Sequence, residues 1–306
     1  MKPAAKQYSM SIVPNIVQYQ GSKRLLAPHI LRHMPGRFAR FVEPFAGMAS
    51  MTFAVAAEGR CGALWVNDLN APLVDILRAA VQQPQQLLDE YRRVWEEQFT
   101  WRGGHIAHFN HVRARFNGGE QTAANMLYLL ARCVKGAVRY AQDGTFNQSP
   151  DKRRHGTRPE KLAKNIAAIA ALLHGKVAFS ALDYREVLEQ CKPGDIVYMD
   201  PPYQGVSGAR DQRYLAGVDI DEFAAALDGL NRRGIDFLVS YDGARGSQSY
   251  GRELPPELGC RRVLLRAGLS TQALLLGKKE VTHEALYVSR NLAGGWAQPD
   301  LFLAAA

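Results

Sequence analysis

The sequence predicts an α/β protein: a mostly parallel sheet covered by helices on both faces, interrupted by an inserted, mainly helical subdomain. Three observations carry this. Short apolar strands alternate with helical patterns from Arg40 to Ala80, the rhythm stops after Gln82-Gln83-Pro84, and it resumes at Val177 and runs to Ser240. Alternating strands and helices indicate parallel pairing with helical crossovers. The break divides the chain into a core formed by residues 1–84 and 175–306 and an insertion spanning 85–174.

The elements follow in order. Phe41-Val42 is a strand that enters Glu43-Pro44-Phe45-Ala46-Gly47, and the Ala/Met/Val-rich run from Met48 to Ala57 is a helix. Ala63-Leu64-Trp65-Val66 is the next strand and ends in Asn67-Asp68-Leu69-Asn70. A helix after it carries Leu73, Ile76, Leu77 and Ala80 on one face, the spacing of a 3.6-residue repeat. Inside the insertion, Arg102-Gly103-Gly104 breaks the helical pattern and 141–158 is a polar loop. The last inserted helix has Thr157 as expected cap and Pro159 in its first turn. Leu162, Ile166, Ile169 and Leu173 share one of its faces, and Gly175 is its stop. Val177–Phe179 is a strand, Asp183–Gln190 a short helix, and Ile196–Met199 a buried strand running into Asp200-Pro201-Pro202-Tyr203. Asp219 or Asp221 caps a helix through Leu230 that Gly234 ends, and Ile235–Ser240 is a strand. Arg262–Arg266 and Glu284–Ser289 form a closing antiparallel pair.

Composition narrows the function classes. Of 306 residues, 47% are hydrophobic and 22% charged, which suits a globular protein and excludes a disordered chain. No run approaches the roughly 20 apolar residues that span a bilayer. Four scattered cysteines form no CxxC pair, which argues for a reducing, cytoplasmic setting and against a disulfide framework or cysteine zinc site. The net charge of +9 is unevenly spread. Trp101–Lys176 holds 13 Lys/Arg against 4 Asp/Glu, and the remaining 25 of each sign cancel. A basic block of this kind fits a polyanion, because each cation set against a phosphate releases condensed counterions. His105, His108 and His111 lack carboxylate or cysteine partners at ligand spacing, so they read as an exposed helix face and no metal is expected.

Asp200-Pro201-Pro202-Tyr203 is the feature richest in chemistry. Ligands of open α/β sheets sit beyond the carboxyl ends of the strands, where this motif falls. Two successive prolines fix the backbone and leave carbonyls as rigid acceptors. An amine on a planar base has its lone pair delocalised into the ring. The Asp200 carboxylate and the Pro201 carbonyl, gripping both N–H groups, would draw that nitrogen towards tetrahedral geometry for attack on a methyl group. Tyr203 would stack on the base. Gly47 in a strand-to-helix turn allows close backbone approach to a ligand, though a single glycine is not a GxGxxG cradle. Asp68, at the end of the next strand, suits either ribose hydroxyls or the N-cap of the following helix.

Taken together, these motifs resemble Dam-type DNA adenine-N6 methyltransferases. The N-terminal motif is similar to Tyr19–Leu26, the cofactor motif to Phe41–Gly47, the ribose motif to Asn67–Asn70 and the catalytic motif to Asp200–Tyr203. Arg115-Phe116-Asn117, Leu127-Tyr128-Leu129, Arg139-Tyr140 and Gly144–Asn147 also match, so the likeness runs from about Tyr19 to Asn291. It implies a Rossmann-like class I methyltransferase sheet with S-adenosyl-L-methionine as methyl donor. Tyr19, Lys23, Glu43, Phe45, Gly47, Asp68, Asp183, Tyr184 and Asp200 would meet that donor. Asp200, Pro201, Pro202 and Tyr203 would carry the transfer to an adenine flipped out of duplex DNA. The basic insertion would recognise the target, with Arg132, Lys135, Arg139, Asn147, Lys152, Arg153 and Arg154 on DNA. Ala49 stands where the family often has a second glycine, Lys135-Gly136 where it has Asn-Gly, and the loop Gln148–Arg154 departs from its apolar-Pro pattern.

Two alternatives stay open on the sequence. One is transfer to another amine, cytosine N4 or RNA adenine. The other is a catalytically silent nucleic-acid-binding relative. The resemblance also implies no membrane and a place at the nucleoid through DNA, and it leaves open a cognate restriction endonuclease as a functional partner.

Overall fold

The computed structural model describes residues 13–202, 218–245, 248–250, 252–269 and 281–294. Its sheet begins with β1 (Arg40–Glu43), β2 (Ala63–Asn67), β3 (Val177–Ser180) and β4 (Asp195–Met199), all parallel where they pair. β5 (Asp236–Arg245) is parallel to β4, and the short β6 (Gln248–Tyr250) folds back on its end. β7 (Arg261–Leu269) and β8 (Val281–Val288) are antiparallel. The spatial order is β3-β2-β1-β4-β5-β8-β7. The doubly wound parallel half is therefore as expected, and β8 inserts between β5 and β7.

Strand alternation explains how both faces are covered. Phe41, Leu64, Val66, Ile196, Tyr198 and Leu238 face one core, while Val42, Trp65, Val197, Met199, Phe237 and Val239 face the other. The second core is closed by α8 (Tyr184–Glu189) and α9 (Ile220–Arg232). The first is closed by α1 (Ala27–Ile30), α2 (Ser50–Ala57) and α3 (Ala71–Gln82). All four predicted face residues of α3 are buried.

The insertion comprises α4 (Pro84–Glu97), α5 (Gly104–Asn117), α6 (Ala123–Arg132) and α7 (Pro159–Leu173). Leu87 and Tyr91, Leu127 and Leu130, and Leu162 and Ile166 bury into the same cluster as α2 and α3. The inserted helices thus extend the core of one sheet face instead of enclosing a separate one. Leu162, Ile166, Ile169 and Leu173 of α7 are buried as their spacing predicts, each contributing roughly 1.5–3 kcal/mol. The expected Thr157 cap is corrected to Arg158, because Pro159 is the first helical residue and holds its predecessor extended. Thr157 instead accepts a hydrogen bond from the Tyr91 hydroxyl through its carbonyl, at 2.6 Å. The histidine face is also corrected. His108 is fully buried, with Nδ1 2.9 Å from the Tyr128 hydroxyl and Nε2 3.4 Å from Glu97. A small helix α10 (Arg290–Gly294) follows β8. Among the described residues no helix is long and apolar enough to cross a membrane.

Candidate active site

A cleft of about 200 Å3 opens beyond the carboxyl ends of β1, β2, β3 and β4. Its floor is the turn after β1. Gly47 has φ +50, and a Cβ there would lie 2.8 Å from Cε1 of Tyr19, so glycine is required for the ring to rest on the turn. Ala49 also adopts a left-handed conformation, φ 54, where the family often has glycine. The buried Glu43 carboxylate accepts hydrogen bonds from the Thr52 amide, at 2.9 Å, and from the Thr52 hydroxyl, tying β1 to the first turn of α2. Burial pushes its carboxyl up to about 8, despite the donors from Thr52 and Met51 that oppose the shift.

Asp68 shapes the same wall. Its carboxylate accepts from the Gly47 amide at 2.7 Å and from the Asn70 amide at 2.9 Å, so it joins the turns after β1 and β2. The N-cap position of α3 belongs to Asn70, not Asp68. Burial raises the Asp68 carboxyl above the ordinary carboxylate range, against the pull of these two amides. Behind it the buried Asn67 donates to the carbonyls of Pro44 and Leu182 and accepts from Ser180 and Leu182, locking three strand ends together. The sequence offered Asn67 only as a letter in a motif.

Asp183 caps α8 through a reciprocal capping box with Glu186, a device worth about 1 kcal/mol. Its carboxylate accepts from the Arg185 amide and guanidinium, which holds its carboxyl below the usual range. Tyr184 is buried, its ring 5.2 Å from Phe45 and 5.8 Å from Phe223. Asp183, Tyr184 and Phe45 all line the cleft.

At the end of β4, Asp200, Pro201 and Pro202 form the remaining wall. Oδ1 of Asp200 lies 2.9 Å from the Lys23 ammonium, which lies 3.1 Å from Oε1 of Glu284 on β8. Burial disfavours the Lys23 charge, but Asp200 and Glu284 outweigh it and hold the ammonium above its ordinary range. Lys23 is placed by a 3₁₀ turn, Lys23–Leu25, capped by the Ser22 hydroxyl, and its amide donates to the Ser50 hydroxyl at 3.2 Å. Tyr203 lies outside the described residues. Glu284 drew no attention in the sequence, where it reads as one polar residue on an apolar strand.

The basic insertion meets this cleft from one side. The Gln20 amide donates to the Gly136 carbonyl at 2.9 Å, and a Cβ on Gly136 would fall 2.1 Å from the Gln18 carbonyl. Tyr140 donates to the side-chain carbonyl of Asn70 at 2.9 Å. Lys135, Arg139, Asn147, Lys152, Arg153 and Arg154 are exposed. Arg154 also donates to Asp151 at 2.7 Å and to Gln18 at 3.2 Å. Arg132 is different: it is fully buried and donates to the carbonyls of Asp151 and His105. That placement corrects its expected place on DNA. It sits at the end of an amphipathic helix, where sequence alone does not tell an interior arginine from a surface one.

The family model of the D12 class N6 adenine-specific DNA methyltransferases matches residues 19–260. The chain is 26% identical over 249 residues to a DNA N-6-adenine-methyltransferase of Escherichia phage P1, a match covering 80% of this chain and 31% of that protein. It is 26% identical over 197 residues to the type II methyltransferase M1.LlaDCHI of Lactococcus lactis subsp. cremoris, covering 61% and 64%. It is 27% identical over 230 residues to the retron Ec67 DNA adenine methylase of Escherichia coli, covering 74% and 76%. The chain thus spans about a third of the phage protein and just under two thirds of the Lactococcus one. A putative methyltransferase, yhhF, from Escherichia coli is a structural neighbour at 10% identity and a TM-score of 0.33, covering 89% of this chain and 91% of that one.

Proposed function

The chain belongs to the D12 class N6 adenine-specific DNA methyltransferases, and we propose that it moves a methyl group from S-adenosyl-L-methionine to N6 of an adenine flipped out of duplex DNA. The observation that carries this reading is the position of Asp200 and Pro201 at the end of β4, on a cleft walled by Glu43, Asp68 and Asp183. The lining suits the donor. Carboxylates outnumber cations around a molecule that bears a sulfonium and an ammonium, and Phe45, Leu69 and Tyr184 offer apolar surface to its adenine.

When bound, the donor supplies an electrophilic methyl carbon. Glu43 faces the donor's ammonium, Asp68 takes the ribose hydroxyls, and Asp183 with Tyr184 borders the adenine ring. Tyr19 and Gly47 form the floor. Asp200 and the Pro201 carbonyl accept the two N6 hydrogens of the target, Pro202 stiffens the turn, and Tyr203 stacks on the base, worth roughly 1–3 kcal/mol. The N6 lone pair forms the N–C bond, the C–S pair remains on sulfur, and the surplus N6 proton leaves to solvent by way of Asp200. Extruding the base costs a few kcal/mol, offset by phosphate contacts of the basic insertion.

Residues 85–174 serve in this reading as the target-recognition region. Lys135, Arg139, Asn147, Lys152, Arg153 and Arg154 approach the DNA. A cognate restriction endonuclease is a functional partner that this activity allows but does not require, and the cytoplasm, at the nucleoid, is its place of action. The test is chemical. Duplex DNA methylated by the protein with labelled S-adenosylmethionine is digested to nucleosides. Label in N6-methyl-2′-deoxyadenosine supports the reading, whereas label in N4-methyl-2′-deoxycytidine, or none, overturns it.

A further inference from the structure

We propose that Glu284 is a positioning residue that acts on Asp200 through Lys23; this inference rests on the function proposed above. Lys23 is only 7% exposed, and its ammonium is held between two carboxylates from opposite parts of the chain. Asp200 directly follows the parallel strand β4, and Glu284 lies in the antiparallel strand β8, opposite Gly243 of β5 and Leu265 of β7. The contact of Glu284 with Lys23 is ionic: among the described residues Oε1 has no aligned hydrogen-bond donor. A carboxylate oxygen held there by ion pairing alone contributes charge more than geometry.

The charge has a use. Lys23 and Asp200 alone form a neutral pair, which exerts little pull on a nitrogen that becomes cationic as it is alkylated. With Glu284 the trio carries one net negative charge at the edge of the cleft. Asp200 then retains its strength as an acceptor while Lys23 fixes its orientation. Among the described residues, the other groups that face the trio include Tyr198, whose hydroxyl is bonded to Ser240 at 2.7 Å, and the buried Glu43. Burial keeps the Tyr198 phenol protonated, so it adds no charge. Buried charges of this kind respond strongly to loss of one partner, because nearby water is too scarce to screen the remainder.

The experiment compares Glu284→Gln and Glu284→Asp in single-turnover methyl transfer across pH, with DNA KM, donor affinity and thermal unfolding measured on the same preparations. Glu284→Gln is expected to lower the transfer rate about tenfold or more, the size of one orienting interaction, with DNA KM little changed. The acid limb of its rate profile should move to lower pH, because removing a negative neighbour favours ionised Asp200. Glu284→Asp, which keeps the charge, should recover most of the rate. In a Lys23→Gln background, Glu284→Gln should cost little more, since the residues act as one unit. That double variant also removes charge in balance and keeps the test open if Glu284→Gln alone does not fold. A wild-type rate in Glu284→Gln, equal losses in both single variants, or full additivity with Lys23→Gln overturns the inference. Failure of the wild type itself to make N6-methyladenine would instead count against the function on which it rests.

Discussion

Replacing Gly47 by alanine tests whether the floor of the cleft is built as described. At φ +50 an L-residue costs roughly 1–2 kcal/mol over glycine. The new methyl would stand 2.8 Å from Cε1 of Tyr19, closer than carbon atoms pack, so the ring must leave its place. A forced off-rotamer ring adds about 0.5–1.5 kcal/mol. The total is roughly 1.5–3.5 kcal/mol, which for a chain of this size lowers the unfolding midpoint by about 2–5 °C. Because Tyr19 lines the cleft, donor binding should weaken by about tenfold for each 1.4 kcal/mol that falls on the bound state. Calorimetric titration with S-adenosylmethionine and thermal unfolding measure the two parts. Gly62→Ala is the control: its Cβ would meet nothing within 4 Å and its backbone is not left-handed, so neither quantity should move. A Gly47→Ala protein with unchanged midpoint and donor affinity would refute the described turn.

Glu43 should make donor binding release a proton near pH 7. Its carboxyl, raised to about 8 by burial, is largely protonated in the free protein, and a facing ammonium favours the ionised form. Titrations in buffers of different ionisation enthalpy measure the release, which Glu43→Gln should abolish. The same shift predicts a pH dependence of stability. A raised carboxyl favours folding below the unfolded value and loses that advantage as pH climbs from about 4.5 to about 8. Wild type should therefore lose ground to Glu43→Gln across this window in denaturant unfolding. Neutralising Lys152, Arg153 and Arg154 together should flatten the salt dependence of DNA binding by about 2 in log–log slope, less than three full contacts because Arg154 is already paired with Asp151. Arg132→Ala should instead lower stability by roughly 2–3 kcal/mol, through two carbonyls left without donors, and leave that slope unchanged in the folded fraction.

Much of this molecule is legible in its sequence because local and tertiary demands agree there. Leu73, Ile76, Leu77 and Ala80 repeat at helical spacing and are buried together, and β4 is apolar because both its faces are covered. Asp68 shows where such reading stops: two roles were open for one carboxylate, and only the positions of the Gly47 and Asn70 amides exclude the N-cap. Arg132 and His108 were misread for a related reason. Both are polar residues at helical positions, and their burial depends on carbonyls, Tyr128 and Glu97 supplied from other segments. Glu284 was invisible because its meaning lies in β8 entering the sheet between β5 and β7, which brings residue 284 to residue 23. The shared core of insertion and sheet also escaped the sequence, since a break in rhythm looks the same for an appended domain and for helices added to an existing layer.

The central claim is that the Asp200 carboxylate grips the amine that receives the methyl group. Single-turnover methyl transfer to duplex DNA by Asp200→Asn, with donor and DNA both saturating, tests it most directly. The asparagine keeps the shape and loses the charge. A transfer rate reduced by about a hundredfold or more, with the protein still folded and still binding DNA, is the predicted result. A rate equal to that of the wild type would contradict the account.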